Sequence, residues 1–321
     1  MARRTTVRGV IAALAVLAAT AGGITGAATA SAGTALAAEK VFQSNRYAPR
    51  ADRIRSAGPS GYLHAQEGRS GYLWTSYATG ATTGLGDLPF LEIPGYLGSS
   101  SDVVAEVVSP TEKVVLKDMA AGTSTDVALT HGAYQATFGT HVLTQARDTA
   151  GNRTPWLYGA GEPAGGTPVE GWPTGVTTNF TVLGGDSTTA VLDYAQPSGV
   201  QHLVLVDLAG AKVTGDVAVN AVPTGVALSA DRLVWWSGLW SAHVLDRADL
   251  SAPATALKLP GAEGTPSVGI AGNWLVVARS VPTSPQDWAD KSGEPLTALP
   301  LSGGDPITLL RHANPSLVTT S

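Results

Sequence analysis

The sequence contains no cysteine, and only 14% of its 321 residues are charged. Without cysteine, neither a disulfide framework nor a thiolate metal site can form. A chain of this length must then be held together by a buried core, and its 44% hydrophobic content is sufficient to build one. The 38 glycines and 20 prolines are typical of short strands joined by tight turns.

The N-terminus carries three arginines among polar residues, followed by an uncharged, alanine-rich run that ends at Ala30. This pattern predicts a signal peptide over residues 1–30, with cleavage after Ala28-Thr29-Ala30 or, further on, after Ala35-Leu36-Ala37. An uncleaved signal anchor is the alternative, but the small residues and glycines within the run favour cleavage and the general secretory route.

The charge balance argues against several classes of partner. Loss of the three leader arginines would leave 17 basic and 25 acidic residues, a formal charge of −8. Such a chain repels phosphate backbones and anionic lipid surfaces, so we expect no nucleic-acid binding. Beyond the leader no apolar run reaches about eighteen residues, and we therefore predict a secreted protein, extracellular or associated with the cell wall, without membrane insertion after signal cleavage.

Short apolar segments recur along the rest of the chain. Six of them align on central residues separated by 41, 39, 49, 42 and 42 residues: Leu63, Val104, Leu143, Leu192, Val234 and Val276. A second apolar segment follows each one and ends near an aspartate or a glycine. Residues 58–321 therefore read as repeats, and residues 31–57 as an N-terminal lead-in that can supply one strand.

A proline-led motif marks the start of each later unit. "PTGV" occurs at Pro173 and Pro223, and shortened forms follow at Pro266 and Pro315. Proline fixes φ and lacks an N–H group, and glycine tolerates a crowded backbone, so the motif predicts the entry to the innermost strand of a unit.

Repeats of about 40 to 50 residues with about four short strands are typical of β-propeller blades. We predict an all-β fold, a propeller of about seven four-stranded blades with an incomplete last blade opened at Pro315. The alternatives are a β-solenoid and two tandem sandwiches. Because so little sequence follows Pro315, either the lead-in completes the last blade or the chain is the front part of a longer protein; we favour the second.

The segment "GYLHAQEGRSGYLWTSYATGATTGL" and the strands "LVLVDLAG" and "DRLVWWSG" resemble secreted actinobacterial propeller proteins of the VCBS or FG-GAP repeat type. The resemblance implies extracellular binding or adhesion and supplies no catalytic set. FG-GAP repeats usually carry a D-x-D-x-D-G calcium loop, whereas Asp246 and Asp249, like Asp287 and Asp290, lie three residues apart. This departure leaves calcium binding in doubt.

Catalytic and cofactor motifs are absent from the sequence: it contains no G-x-S-x-G, no H-E-x-x-H and no phosphate-binding glycine loop. His141, His202 and His243 stand at comparable strand starts. A ring of histidines around a channel would bind metal, but hydrogen-bonded histidines at strand ends are the favoured interpretation. We therefore predict no metal and no cofactor.

Two recurring side-chain types remain. Asp118, Asp207 and Asp246 follow the second strand of their units, where they are predicted to accept backbone hydrogen bonds in turns rather than to bind a ligand.

The tryptophans of "LVWWSGLW", namely Trp235, Trp236 and Trp240, are the candidate ligand-binding residues, because exposed indole rings stack on sugars. The adjacent Trp235 and Trp236 point to opposite faces of a strand, so packing between blades is the competing role.

These observations favour a non-catalytic binding or scaffold propeller that engages an extracellular protein or a cell-wall polysaccharide. The alternative is a secreted enzyme, such as a glycoside hydrolase, a lyase or a quinone-dependent dehydrogenase, with its active site at the propeller channel. An enzyme should gather two or more carboxylates or histidines with perturbed pKa values at the channel.

Overall fold

A computed structural model describes residues 53–65, 71–86, 96–98, 101–159, 164–261, 264–280 and 295–310. The chain divides into two units, Met1–Arg50 and Ala51–Ser321, and every described residue belongs to the second. The predicted signal peptide, most of the lead-in and Pro315 lie outside the described residues. Within the described ranges no helix has the length and hydropathy that a membrane span requires.

The described residues form twenty-four strands in six antiparallel sheets, each made of four strands consecutive in sequence. Blade 1 comprises β1 (Arg53–Ala57), β2 (Gly61–Ala65), β3 (Tyr72–Ser76) and β4 (Thr82–Gly84). Blade 2 comprises β5 (Tyr96–Gly98), β6 (Val103–Ser109), β7 (Lys113–Asp118) and β8 (Thr123–Ala128). Blade 3 comprises β9 (Ala133–Phe138), β10 (His141–Arg147), β11 (Arg153–Gly159) and β12 (Thr167–Pro168).

The second half of the propeller has the same plan. Blade 4 comprises β13 (Thr181–Gly185), β14 (Thr189–Ala195), β15 (Gln201–Asp207) and β16 (Lys212–Val219). Blade 5 comprises β17 (Gly225–Leu228), β18 (Arg232–Ser237), β19 (Ser241–Asp246) and β20 (Thr255–Lys258). Blade 6 comprises β21 (Thr265–Ala271), β22 (Trp274–Ser280), β23 (Leu296–Pro300) and β24 (Ile307–Leu310).

The first strand of each blade is the innermost one. β1 lies against β5, β9 against β13, β13 against β17 and β17 against β21, whereas every sheet is made of strands from one blade. One isolated bridge, Glu170 to Lys212, links the crossover after β12 to β16. Separate sheets that meet through their first strands form a propeller and exclude both the tandem sandwiches and the solenoid. The prediction of an all-β propeller is therefore confirmed.

The predicted number of about seven blades, with an incomplete last one, was wrong: the described residues form six blades, each with four strands. The extra unit was inferred from Pro315 alone. The six aligned anchor residues each lie in the second strand of one blade, so they account for six blades and no more. β1, at the end of the predicted lead-in, completes blade 1.

The core consists of apolar layers between consecutive blades. Val191 and Leu192 are neighbours in β14, yet Val191 packs towards blade 5 with Leu233, while Leu192 packs towards blade 3 with Leu143. Strand alternation sends successive side chains to opposite faces, and both faces of a blade are covered by its neighbours. Each buried leucine contributes about 1.5–3 kcal/mol of transfer free energy, which a single exposed blade would not gain.

The proline-led motif lies at or before the innermost strands, and its glycine is needed for a different reason in each of the two full copies. Pro223 directly precedes β17 and Pro266 lies in β21, whereas Pro173 stands in the longer connection before β13. In the first copy Gly175 has a φ of 77°, a conformation that glycine adopts without strain. In the second copy Gly225 packs directly beneath the ring of Trp236, where a Cβ atom would overlap the indole.

Candidate binding surface

The loops of a four-stranded antiparallel blade alternate between its two ends, so the propeller has two chemically independent rims. One rim carries the connections between second and third strands together with the crossovers from one blade to the next; we call it the crossover rim. The connections between first and second strands and between third and fourth strands form the opposite rim.

The opposite rim is rich in aspartate, and these carboxylates organise turns. Asp118 Oδ1 accepts hydrogen bonds from the backbone N–H groups of Ala120 and Ala121 at 3.0 and 2.9 Å. Asp207 Oδ2 accepts from Gly210 N at 3.0 Å, and Asp246 Oδ1 accepts from Ala248 N at 2.9 Å. In each case the carboxylate satisfies N–H groups that the end of the strand leaves unpaired.

Two arginines link turns of the opposite rim. Arg232 Nη1 donates to Asp246 Oδ2 at 2.7 Å within blade 5, with both side chains partly exposed. Arg247 reaches from blade 5 to blade 4, where its Nη2 donates to Thr189 Oγ1 at 2.7 Å and its Nη1 lies 3.5 Å from Asp186 Oδ2. These aspartates and arginines therefore fix the loops of the opposite rim.

The crossover rim of blades 4 and 5 has a different composition. Three of its described loops, residues 196–200, 220–224 and 238–240, contain no Asp, Glu, Lys or Arg, whereas the crossover that enters blade 4 carries Glu170. They expose apolar side chains instead: Val200, Val222, Leu239 and Trp240. We call this surface, made of these three loops, the uncharged rim. An acidic protein thus presents three uncharged and partly apolar loops on two adjacent blades, and one exposed cation, Lys258, lies next to them at the end of β20, where it pairs with Ser241.

Trp235 and Trp236 do not belong to this surface. They are 5% and 7% exposed and lie in the layers between blades 4 and 5 and between blades 5 and 6, respectively. They occupy β18, an interior strand whose two faces are both covered, so alternation buries both rings. Of the three tryptophans predicted to bind a ligand, Trp240 alone has a large exposed area.

Trp240 is 47% exposed in the turn between β18 and β19, and a cation contacts one face of its ring. The guanidinium carbon of Arg279, in β22 of blade 6, lies 5.0 Å from the centre of the indole ring, a cation–π distance. Arg279 is almost fully buried and donates to the carbonyl oxygens of Leu239 (2.7 Å), Pro260 (2.7 Å) and Gly264 (2.9 Å). The same side chain thus fixes the turn that carries Trp240 and the crossover beside it.

Sequence reasoning missed Arg279, Val200 and Val222. Arg279 lies 39 positions after Trp240 in an apolar strand, and no local pattern connects the two residues. The valines stand in turn segments whose exposure depends on the three-dimensional arrangement. One feature of the sequence could have pointed to this surface: the three loops contain no charged residue. That feature becomes informative only when the loops are known to share a rim.

The three histidines noted at strand starts do not form a ring. His141 begins a second strand, whereas His202 and His243 lie in third strands. His202 stacks on Tyr194 at 5.1 Å and His243 on Trp235 at 5.2 Å, and His202 Nδ1 lies 2.6 Å from Asp216 Oδ1. Among the described residues, no group of three or more metal-ligating side chains is placed to hold an ion.

One described carboxyl is buried with its pKa raised. Asp193 in β14 is 7% exposed, and its Oδ1 has no hydrogen-bond partner among the described residues. Its side chain faces the layer between blades 4 and 5, as does that of Val191 two residues earlier. Desolvation raises the pKa of this carboxyl because burial penalises the charged form.

No family model and no curated protein matches the chain. Several solved structures are similar: a prolyl endopeptidase (16% identity, 80% of this chain and 41% of that chain, TM-score 0.49), the Dos1 propeller (13%, 80% and 69%, 0.46) and BamB from Moraxella catarrhalis (15%, 79% and 76%, 0.40). The chain spans 41% of the length of that prolyl endopeptidase. At these identities and TM-scores the likenesses indicate no function, and the six-bladed architecture rests on strand order and inner-strand contacts.

Proposed function

We propose that this chain is an exported, non-catalytic binding propeller that engages a cell-wall or other extracellular polysaccharide through the uncharged rim of blades 4 and 5. The export is supported by the leader-like residues 1–30. The resemblance to secreted actinobacterial repeat propellers supports the same role.

The observation that carries this proposal is the exposed and immobilised ring of Trp240. Sugar rings present apolar C–H faces that pack on a flat indole, and the contact gains most when the indole is already fixed in place. Arg279 supplies that order, because it covers one side of the ring and anchors the adjacent backbone through three hydrogen bonds. The outer side of the ring remains accessible.

The composition of the uncharged rim supports a neutral ligand. The loops around Trp240 offer Gln196, Ser198, Asn220 and Thr224, whose amide and hydroxyl groups both donate and accept hydrogen bonds. Hydroxyl-bearing polymers are matched by such groups, whereas an ionic partner would require fixed charges, which these three loops do not supply. Nucleic acid is disfavoured by the acidic charge of the chain.

An extracellular protein is the second candidate, favoured by one observation. Val200, Val222 and Leu239 are exposed on the same rim as Trp240. Aromatic and aliphatic side chains surrounded by neutral polar residues also suit the centre of a protein interface. The enzyme alternative requires two carboxylates or histidines with shifted pKa values at the channel. Asp193 is one carboxyl with a raised pKa, but it lies in a layer between blades, so it does not favour this alternative.

The decisive test compares two tryptophans of similar exposure on opposite rims. Trp240 is 47% exposed on the crossover rim, and Trp274 is 37% exposed at the start of β22 on the opposite rim. Wild-type protein, Trp240→Ala and Trp274→Ala would be incubated with insoluble cell-wall material, chitin and cellulose. The bound fraction would be measured by depletion of the supernatant, and folding by circular dichroism.

We expect Trp240→Ala to retain its β-sheet spectrum and to lose about tenfold or more in apparent affinity, because one aromatic stacking contact is worth about 1–2 kcal/mol. Trp274→Ala should bind like the wild type. Equal retention of all three proteins would refute the assignment of the rim. Absence of wild-type retention on every polymer would refute the polysaccharide proposal and favour the protein partner.

A further inference from the structure

A polar cleft opens on the crossover rim between blades 3 and 4. It is open to solvent, has a volume of about 430 Å³ and is lined by Gln135, Gln145, Asn179, Phe180, Thr181 and Val182. This volume falls within the range of about 300–1,000 Å³ that small-molecule sites occupy. None of the lining residues carries a charge, and the cleft adjoins blade 4, which also carries part of the uncharged rim.

A bulge in the innermost strand of blade 3 shapes one wall of the cleft. Ala136 pairs with Leu143 and Tyr134 pairs with Thr144, which leaves Gln135 without a partner in the ladder. An extra residue of this kind is turned away from the regular alternation, so bulges commonly redirect a side chain at a functional site. Here the redirected side chain is an amide that lines the cleft.

The opposite wall is fixed by a network between blades. Gln145 Oε1 accepts a hydrogen bond from the backbone N–H of Phe180 at 3.1 Å, and this contact settles the orientation of the Gln145 amide, since an NH₂ group cannot accept it. Gln145 Nε2 then donates to Asn179 Oδ1 at 3.3 Å. Asn179 is therefore held through its oxygen, and its NH₂ group is left for another partner.

Two unused polar atoms remain in the cleft. Asn179 Nδ2 makes no hydrogen bond to any described residue, and neither does Gln135 Oε1. Gln135 Nε2 donates to the Ala133 carbonyl at 3.3 Å. Asn179 is exposed, so a ligand reaches its NH₂ group from solvent. The cleft thus presents one unused donor and one unused acceptor, both neutral. A hydroxyl group can accept from the first and donate to the second.

We propose that this cleft is a subsite for one neutral, hydroxyl-bearing sugar unit, oriented by Asn179 Nδ2 and Gln135 Oε1. The inference rests on the proposed polysaccharide-binding function and adds a contact point remote from Trp240. The uncharged lining selects neutral sugars over charged ones.

The test uses disaccharides and side-chain amide signals of the ¹⁵N-labelled mature protein. Cellobiose, maltose and N,N′-diacetylchitobiose serve as neutral probes, and glucosamine and galacturonic acid as charged ones. The NH₂ pair of Asn179 is identified as the pair lost in Asn179→Asp. This variant keeps the oxygen that accepts from Gln145 and replaces only the unused donor. Asn273→Asp, at an exposed position on the opposite rim, is the matched control.

We expect at least one neutral disaccharide to shift the Asn179 signal in a saturable manner. Asn179→Asp should weaken its binding about fivefold, the loss of one hydrogen bond at an exposed position, and Asn273→Asp should not change it. Because the Asn179 signal is absent from Asn179→Asp, binding to the variants is followed through the Gln145 side-chain amide and the Phe180 backbone amide, which lie in the same network. Saturable binding that is equal in both variants, binding of charged sugars only, or no shift with any probe would each overturn the subsite.

The result is separable from the test of the uncharged rim. Trp240→Ala should leave the disaccharide shift at Asn179 unchanged while it lowers retention on the polymer. If the polymer is retained through Trp240 but no disaccharide shifts Asn179, the subsite is refuted and the binding rim stands. If disaccharides bind at Asn179 but Trp240→Ala has no effect on retention, the subsite stands and the rim assignment is refuted.

Discussion

Replacing Arg279 with methionine should destabilise the propeller more than any single surface ion pair could. Methionine keeps much of the apolar stem but removes a guanidinium that donates to three backbone carbonyls at 2.7 to 2.9 Å. These carbonyls belong to the β18–β19 turn and to the crossover between blades 5 and 6, so the side chain joins segments that are 40, 19 and 15 residues away in sequence.

The magnitude follows from the contacts that are lost. Each hydrogen bond contributes about 0.5–1.5 kcal/mol net, and the cation–π contact with Trp240 adds about 0.5–1 kcal/mol, so the expected destabilisation is about 2–5 kcal/mol. The burial of Arg279 supports the upper part of this range, because water replaces the lost donors poorly at a site that is almost closed to solvent.

The assay is urea unfolding of the mature protein followed by tryptophan fluorescence, with Arg232→Met as the matched control. Arg232 pairs with Asp246 on the surface, and its side chain is 34% exposed, so its loss should cost less than about 1 kcal/mol. If Arg279→Met costs as little as Arg232→Met, the guanidinium does not join the blades, and the account of Trp240 as a preformed platform fails.

Two further predictions concern the crowding and burial of single residues. Gly225→Ala should lower the urea midpoint markedly, because the added Cβ atom would overlap the indole of Trp236. Gly199→Ala is the control: this turn glycine has open space around it, so its replacement costs mainly backbone strain. Equal spectra and midpoints in wild type and Gly225→Ala would contradict this packing. Burial raises the pKa of Asp193 in the folded state above its ordinary value of 3.8. The folded protein is therefore most stable, with respect to this group, at pH values below 3.8, and it loses that stability as the pH rises through the folded-state pKa and the buried carboxyl becomes charged. Urea midpoints from about pH 4 to about pH 7 should increasingly favour Asp193→Asn over wild type, and a constant difference would argue against desolvation of the carboxyl.

The strand plan was predictable because it is local and repetitive. Leu63 and its five equivalents stand in second strands, where both faces are covered, and such strands produce apolar runs that can be recognised at a fixed spacing. The entries to β17 and β21 were predictable for the same reason, since a proline at a strand start has a local cause. Pro315 misled the blade count because one entry motif, without an anchor strand, was taken as a unit.

The binding surface was only partly predictable because it depends on contacts between blades. The alternation of Trp235 and Trp236 was visible, but their burial requires neighbouring blades on both sides. The support of Trp240 by Arg279 and the support of Asn179 by Gln145 each join residues separated by more than 30 positions. Spacing within one repeat contains no information about such pairs, because they are set by how consecutive blades pack.

The central claim, that the uncharged rim is the binding face, is tested most directly by amide hydrogen exchange of the wild-type protein with and without the bound polymer. Binding should slow exchange in residues 196–200, 220–224 and 237–241 and leave the opposite-rim turns at 207–212 and 246–252 unchanged. Protection of the opposite-rim turns, with no change in the three loops around Trp240, would contradict it.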